Sequence, residues 1–339
     1  MTSLSRSMTS VLAVLGAGSW GTALALLLCR NGHRVRLWDY SLEQILALGR
    51  DGENRRYLPG FPLPPTLRPV TGITDALQGV SELLVVIPSH AFAEVLRWLP
   101  DRLPDGLGIS WATKGFEPET GRLLHQVAEE ILGPRDLSVV SGPSFAKEVA
   151  KELPTAVTVA SRRPEHARRV AGYLHSDNFR AYTSDDLIGV QVGGAAKNVL
   201  AIAAGIADGL GFGANTRAAL ITRGLAELTR LGIGLGGRQE TFMGLAGLGD
   251  LVLTCTDDQS RNRRLGLALA RGLSVEEAKR EIGQEVEGVL TTRSVNAIAH
   301  RLGVEMPICS QVFGVLYEGR TPEQATRNLL MRGSKAELI

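Results

Sequence analysis

A five-residue apolar run, Val11–Leu15, ends directly on Gly16-Ala17-Gly18-Ser19-Trp20-Gly21, and an apolar helical stretch from Thr22 to Arg30 follows at once. Strand, glycine turn and helix in immediate succession leave few architectures open. A GxGxxG on its own is a weak signal, but here each glycine has a task. Gly16 permits the tight turn, Gly18 lets a pyrophosphate approach the backbone, and Gly21 allows close packing of helix on strand. The helix N-terminus adds free N–H groups and the positive end of its dipole. A glycine-rich turn without a ligand is the alternative. Against it stands Asp39, about 20 positions on at the end of the second apolar run, where a carboxylate accepts hydrogen bonds from an adenosine ribose. Such a carboxylate repels a 2′-phosphate, which favours NAD, although Arg34, Arg36, Arg55 or Arg56 nearby would serve NADP.

The same alternation continues. Apolar runs at Val35–Trp38, Leu83–Ile87, Gly108–Ala112, Leu137–Val140, Ala156–Ala160 and Phe179–Tyr182 are separated by helical segments or turns, the pattern of βαβ units and a mostly parallel sheet. A proline-rich connection, Asn54–Pro69, is expected to be an irregular surface excursion. After Ser184 the β-type pattern fades. Asp185–Asp208 is a long Gly- and Ala-rich helix, and helical periodicity recurs at Ala218–Leu231, Arg261–Arg271, Val275–Ile282, Thr291–Leu302 and Pro322–Met331. The chain has 339 residues, more than one core usually holds. The fold class is therefore α/β, a Rossmann-type doubly wound sheet over residues 9–184 followed by an all-helical domain over 185–339, ending in a solvated tail.

A net charge of +2 leaves no field for nonspecific nucleic-acid binding, so any anionic partner is expected to be small. No apolar stretch approaches the roughly 20 residues of a membrane span, so no membrane partner is expected. Cys29, Cys255 and Cys309 are dispersed and lack a CxxC pairing, which suggests neither a disulfide framework nor a metal site and suits a reducing cytoplasm.

The basic residues are 31 arginines and 6 lysines, so each lysine is a sharper question. Arginine keeps its proton in proteins; a desolvated lysine can give it up. Lys114 follows the Gly108–Ala112 strand at the edge where ligands of open α/β sheets collect, together with Ile87-Pro88-Ser89 and Ser141-Gly142-Pro143-Ser144. The competing reading is an exposed strand-end lysine. Lys197 lies inside the small-residue helix, and Val190, Gly193, Gly194, Leu200, Ala201 and Ala204 on its helical face carry no charge. It either snorkels to the surface or lines a cleft beside Asn198, and in a cleft burial would lower its pKa and suit it to accept a proton.

Asp250 is an isolated acid in the apolar Gly244–Leu251 stretch, expected to cap the following helix and to orient a lysine such as Lys197. Downstream, Ser260 is an N-cap, and Arg261 and Asn262 occupy a helix's first turn, where cations are unfavourable without an anion. A solvated basic cluster with Arg263 and Arg264 is equally compatible with the residues. No HExxH, GxSxG or P-loop is present. The residues point to a nicotinamide enzyme that brings a lysine base and an anion site to a small phosphorylated alcohol or ketone. A β-hydroxyacid-type dehydrogenase and a non-catalytic dinucleotide-binding redox sensor are the alternatives.

The chain resembles the bacterial NAD(P)-dependent sn-glycerol-3-phosphate dehydrogenases. The motifs are GAGSWGTALA from Gly16, NRRYLPG from Asn54, ATKG from Ala112, SGPSFAKE from Ser141, GGAAKNVLAIAAG from Gly193, GLAGLGDLVLTCT from Gly244, QSRNRR from Gln259 and EVEG from Glu285. Residues before Thr9 lie outside the match. The resemblance implies interconversion of sn-glycerol 3-phosphate and dihydroxyacetone phosphate with NAD or NADP, supplying glycerol 3-phosphate for glycerophospholipid synthesis. It further implies that Lys197 is the proton acceptor, with Lys114, Asn198, Asp250 and Thr254 around the reacting carbon. Ser260, Arg261 and Asn262 would surround the phosphate, and Gly142 and Ser144 would touch substrate. Ser19, Trp20, Tyr40, Lys114, Ala146, Arg261, Glu285 and Glu287 match cofactor-contacting positions. Asp39 departs from the many members that use NADPH. The large helical half suggests a homodimer.

Overall fold

The computed structural model describes residues 9–333; the readings of the N-terminal extension and of the C-terminal tail lie outside them. The chain divides into two compact units. The first comprises the chain up to Lys114 together with Leu124–Val190, and the second comprises Gly115–Leu123 and the chain from Gln191 onward.

The first unit runs β1 (Val11–Leu15), α1 (Ser19–Arg30), β2 (Arg34–Trp38), α2 (Leu42–Asp51), β3 (Glu53–Asn54), β4 (Leu58–Pro62), β5 (Leu67–Val70), α3 (Ile73–Leu77), β6 (Glu82–Val85), α4 (Ser89–Arg97), β7 (Gly108–Trp111), α5 (Leu124–Leu132), β8 (Leu137–Ser141), α6 (Ala146–Ala150), β9 (Thr155–Ala160), α7 (Pro164–Leu174) and β10 (Phe179–Ser184). Eight of these strands form one sheet in the order β10-β9-β8-β7-β6-β1-β2-β5. Every neighbouring pair is parallel except β8 and β9, which are antiparallel. From β1 the chain builds outward through β2 and β5, then returns to β6 on the other flank, so the topological switch point lies between the carboxyl ends of β1 and β6.

The Asn54–Pro69 connection departs from the irregular excursion expected of it. β3 and β4 form an antiparallel pair, and Leu67–Val70 joins the main sheet as its edge strand. Pro69 is tolerated there because an edge strand needs backbone donors on one side only. The strand expected over Leu83–Ile87 ends earlier, at Val85. Val86 still donates to the Leu15 carbonyl at 2.7 Å before the chain turns off toward Pro88.

The second unit continues from α8 (Leu187–Gly209), whose first turn belongs to the first unit, through α9 (Ala214–Gly234), α10 (Gln239–Phe242), a π-helical turn at Leu245–Gly249, α11 (Asp250–Thr256), α12 (Arg261–Ala270), α13 (Val275–Ile282), α14 (Glu287–Leu302), α15 (Pro307–Tyr317) and α16 (Pro322–Leu330). The division falls at Val190/Gln191 rather than near residue 185, because a single uninterrupted helix carries the chain from one unit into the other. By length and composition α8 could cross a membrane, but 94% of its most apolar stretch is buried inside the protein, as in a core helix. Its glycines make close helix crossings possible. A Cβ on Gly193 would lie 2.4 Å from the Ala246 carbonyl oxygen and one on Gly205 2.1 Å from that of Arg263, while from the facing helix α12 one on Gly266 would lie 2.2 Å from the Ile202 carbonyl oxygen of α8.

Helix α15, which the periodicity had not suggested, opens on Pro307 at its first position and is capped from a distance. Glu227 of α9, 1% exposed, accepts hydrogen bonds from the backbone N–H groups of Ile308 at 2.7 Å and Cys309 at 3.1 Å. Burial still dominates and pushes its carboxyl up to about 7. Since the folded protein then holds this proton up to a higher pH than the unfolded chain, the associated stability is complete below about pH 4.5 and lost as pH rises to about 7. The expected outcome is that wild-type unfolding free energy, relative to Glu227→Gln, falls by about 3 kcal/mol between pH 4.5 and 7 and is flat above, as measured by urea denaturation. A pH-independent difference would refute this reading.

Candidate active site

The glycine turn is built as its spacing suggests. Gly16 has φ +112°, and a Cβ there would lie 2.2 Å from the Val86 carbonyl oxygen, while one on Gly21 would lie 1.9 Å from the Gly16 carbonyl oxygen. These two glycines are required by the protein's own packing. Gly18 differs, because a Cβ there would meet nothing within 4 Å. Its missing side chain leaves an open cradle at the N-terminus of α1, which has no side-chain cap on its first N–H groups. Backbone donors, dipole and vacant space suit a pyrophosphate. Ser19 and Trp20 form the first turn of that helix, and Trp20 Nε1 is buried without a hydrogen-bond partner.

Asp39 follows β2 at the same edge. One of its carboxylate oxygens accepts from Ala17 N–H at 2.7 Å and the other from Ser41 N–H at 3.0 Å. Each oxygen has a further lone pair for a ribose hydroxyl. Tyr40 beside it is 71% exposed, an aromatic face at the rim. These residues fit a dinucleotide.

Further along this edge, Lys114 Nζ donates to the Gly142 carbonyl at 2.9 Å, and Ser144 Oγ donates to the same oxygen at 2.9 Å. Lys114 is therefore engaged rather than a surface lysine. Gly142 has φ +140°, and a Cβ on it would approach Val157 Cα to 3.0 Å, so a side chain there is both strained and crowded against β9. Thr113, which the sequence reading passed over, ties two strand ends together by donating from Oγ1 to the Ile87 carbonyl at 2.8 Å. Ala146 opens the short helix α6 just beyond.

In the second unit, Lys197 is only 5% exposed and does not snorkel. Its ammonium donates to an Asp250 carboxylate oxygen and, at 2.9 Å, to Thr254 Oγ1. Thr254 in turn donates to the Asp250 backbone carbonyl at 2.6 Å, which directs a hydroxyl lone pair at the lysine. Asp250 does not cap its helix as expected. The chain arrives already coiled through the π-helical turn, Gly249 has helical φ/ψ, and the Asp250 side chain is thereby released to face Lys197. The pairing of Asp250 with Lys197 expected from the sequence is thus formed, with a carboxylate oxygen set against a buried Nζ. Cys255 beside it is inert, its thiol pushed up to about 12 by burial.

Helix α12 brings the anion-binding candidates to the same unit. Ser260 caps it, accepting from Arg263 N–H at 3.2 Å. Asn262 is buried, donating to Asn198 Oδ1 at 2.9 Å and accepting from Gly288 N–H at 2.9 Å, where a Cβ on Gly288 would leave no room. Lys197-Asn198 and Arg261-Asn262 are therefore locked together side by side. Arg261 is half-buried. Burial pulls its guanidinium below the ordinary value, and Glu287, then Glu285, pull it back. The basic cluster is not solvated throughout: Arg263 is buried and paired with Asp208 at 2.7 Å and with Asp258, while Arg217 also holds Asp208 at 2.9 Å. That network fixes the first turn of α12 against α8.

The sequence profile for the NAD-dependent glycerol-3-phosphate dehydrogenase N-terminus matches residues 11–167, and that for the C-terminus matches residues 186–327. The chain belongs to this family. A glycerol-3-phosphate dehydrogenase (NAD(P)+) of Thioalkalivibrio sulfidiphilus is 59% identical over 96% of this chain and 98% of that protein. The Stenotrophomonas maltophilia protein of the same name is 56% identical over 96% of each. The crystal structure of glycerol-3-phosphate dehydrogenase from Coxiella burnetii is 49% identical, superposes with a TM-score of 0.93 and is covered over 99% of its length. Membership in the glycerol-3-phosphate dehydrogenase family favours the first of the three functional readings over the β-hydroxyacid and sensor alternatives.

Removing one member of a buried ion pair strands the other. Asp250→Leu and Lys197→Met are each expected to lower unfolding free energy by about 3–5 kcal/mol, whereas the double variant lies closer to wild type than either single one. Denaturant titration of the four proteins measures this, and additive losses would mean that the two charges do not stabilise one another.

Proposed function

We propose that the protein interconverts sn-glycerol 3-phosphate and dihydroxyacetone phosphate, with Lys197 as the proton-transfer group and Arg261 with the α12 N-terminus as the phosphate grip. The observation that carries this is the Asn198–Asn262 hydrogen bond at 2.9 Å. It fixes the spacing between a buried lysine and a half-buried arginine on adjoining helices, which suits a substrate whose reacting carbon and phosphate are separated by a single CH2–O link.

When bound, NAD(P) supplies the two-electron acceptor or donor at its nicotinamide. In the oxidation direction Lys197, once its own proton has passed to solvent, takes the C2 hydroxyl proton as the free amine, and Asp250 stabilises the ammonium that results. In the reverse direction the ammonium polarises the ketone and returns the proton, with Thr254 and Asp250 holding Nζ in place. Asn198 fixes the bearing of Lys197 on Asn262. Lys114, Gly142 and Ser144 are assigned to substrate from the first unit, supported by their position on the carboxyl edge of the sheet. Gly16, Gly18, Ser19, Trp20, Gly21, Asp39, Tyr40, Ala146, Glu285 and Glu287 are assigned to the cofactor, and Asp39 favours NAD. The reaction supplies glycerol 3-phosphate for glycerophospholipid synthesis. A cytoplasmic location is supported by three free, buried cysteines. A homodimer is supported by apolar residues exposed on the helical unit, among them Ile233, Met243 and Val252.

The deciding experiment mixes glycerol 3-phosphate with NAD or NADP separately and follows reduced nicotinamide, with a 3-hydroxy acid as the comparison substrate. Turnover of glycerol 3-phosphate, faster with NAD, is expected; turnover of the hydroxy acid alone sinks the proposal. Lys197→Ala is expected to lower kcat by about 10²–10⁴. Arg261→Ala is expected to act mainly on KM for the phosphate substrate, raising it roughly 10- to 150-fold, the equivalent of about 1.5–3 kcal/mol of charge-assisted hydrogen bonding. Near-normal turnover in the first variant, or an unchanged KM in the second, removes that residue from its role.

A further inference from the structure

Asn54 stands in the NRRYLPG segment, to which no role has been assigned, yet it is 1% exposed and uses both ends of its amide. Its Nδ2 donates to the Ala17 carbonyl at 2.8 Å and to Thr22 Oγ1 at 2.8 Å. Its Oδ1 accepts from Gln44 Nε2 at 2.9 Å and from Tyr57 N–H at 3.1 Å. Ala17 is the residue between the first two glycines of the turn. Its N–H is taken by Asp39 at 2.7 Å, so both polar groups of this one peptide position are held from within the protein.

An anion-binding turn needs its N–H groups outward and its carbonyl oxygens turned away, since a carbonyl facing a phosphate repels it. The Asn54 amide gives the Ala17 oxygen an inward partner, and the Gln44 and Tyr57 bonds keep that amide from rotating. Few side chains can donate twice and accept twice in this way; a carboxylate lacks the donors and a hydroxyl lacks the reach. We propose that Asn54 is a positioning residue for the cofactor: by holding the Ala17 carbonyl inward, in concert with Thr22 and Gln44, it pre-orders the Gly16–Gly18 turn for pyrophosphate. The proposal rests on the reading that this turn takes the dinucleotide.

The test is NADH binding by fluorescence titration, with steady-state kinetics alongside. Gly18→Val examines the turn itself, and an unchanged NADH Kd there overturns the reading beneath the proposal. With that reading standing, Asn54→Asp keeps both accepting bonds and loses both donors, so a role confined to tying the segment to α2 is preserved while the hold on Ala17 is not. The expected result is a 10- to 100-fold rise in NADH Kd, with kcat at saturating cofactor and KM for glycerol 3-phosphate within twofold of wild type. Thr22→Val, which removes one partner of the same amide within a helix, is expected to raise Kd three- to tenfold and serves if the first variant does not fold. Wild-type Kd in the folded variants overturns the proposal, and so does an equal loss in kcat and in both KM values, the mark of general loosening.

Discussion

A lysine buried to 5% exposure is tolerable only with an anion against it, and the helical unit is arranged around that requirement. Asp250 reaches Lys197 because the backbone at Gly193 passes within a side chain's breadth of Ala246, and the π-helical turn delivers Asp250 with its carboxylate facing the lysine. The pair stabilises less than its Coulomb attraction suggests, since both charges give up hydration. What it supplies is a defined position for Nζ, and the Asn198–Asn262 bond extends that definition to the arginine on α12.

In the first unit the governing constraint is the direction in which peptide groups point. Gly16 N–H donates to the Trp38 carbonyl at 2.7 Å, Ala17 is held at both ends, and Gly21 sits on the Gly16 carbonyl. The polar groups that would repel an anion are satisfied inside, and the cradle at Gly18 is left open. The same unit carries a second buried polar cluster toward the start of its strands. There Glu82 accepts from Ser110 Oγ and lies 2.9 Å from His166 Nε2, and Gly108 has no space for a Cβ beside them. This cluster ties β6 and β7 to α7, at the strand ends opposite those that carry the site.

Much of this is legible in the sequence. The strand boundaries of β1, β2 and β7 and the extents of α12, α13 and α14 follow from periodicity and capping residues to within a few positions. Ser260 was readable as an N-cap because an N-cap is a local bond, spanning three residues. Asp250 has the sequence context of a cap, and nothing local reveals the π-helical turn that precedes it. Asn54, Thr113 and Arg263 carried no readable signal of their partners, which lie 37, 26 and 55 residues away. The edge strand at Leu67–Val70 was obscured by proline, whose missing donor matters in a sheet's interior and not at its border.

By itself the sequence determined the class of fold and the chemistry on offer: a glycine turn between strand and helix, six lysines among many arginines, and one acid in an apolar stretch. These follow from local geometry and from what each side chain can do. Tertiary structure alone decided which of those groups meet. Lys197 and Asp250 are 53 residues apart, and Asn198 and Asn262 are 64 apart. Such pairings are set by where helices cross, and a crossing depends on packing of small residues across the whole unit, which no local pattern encodes.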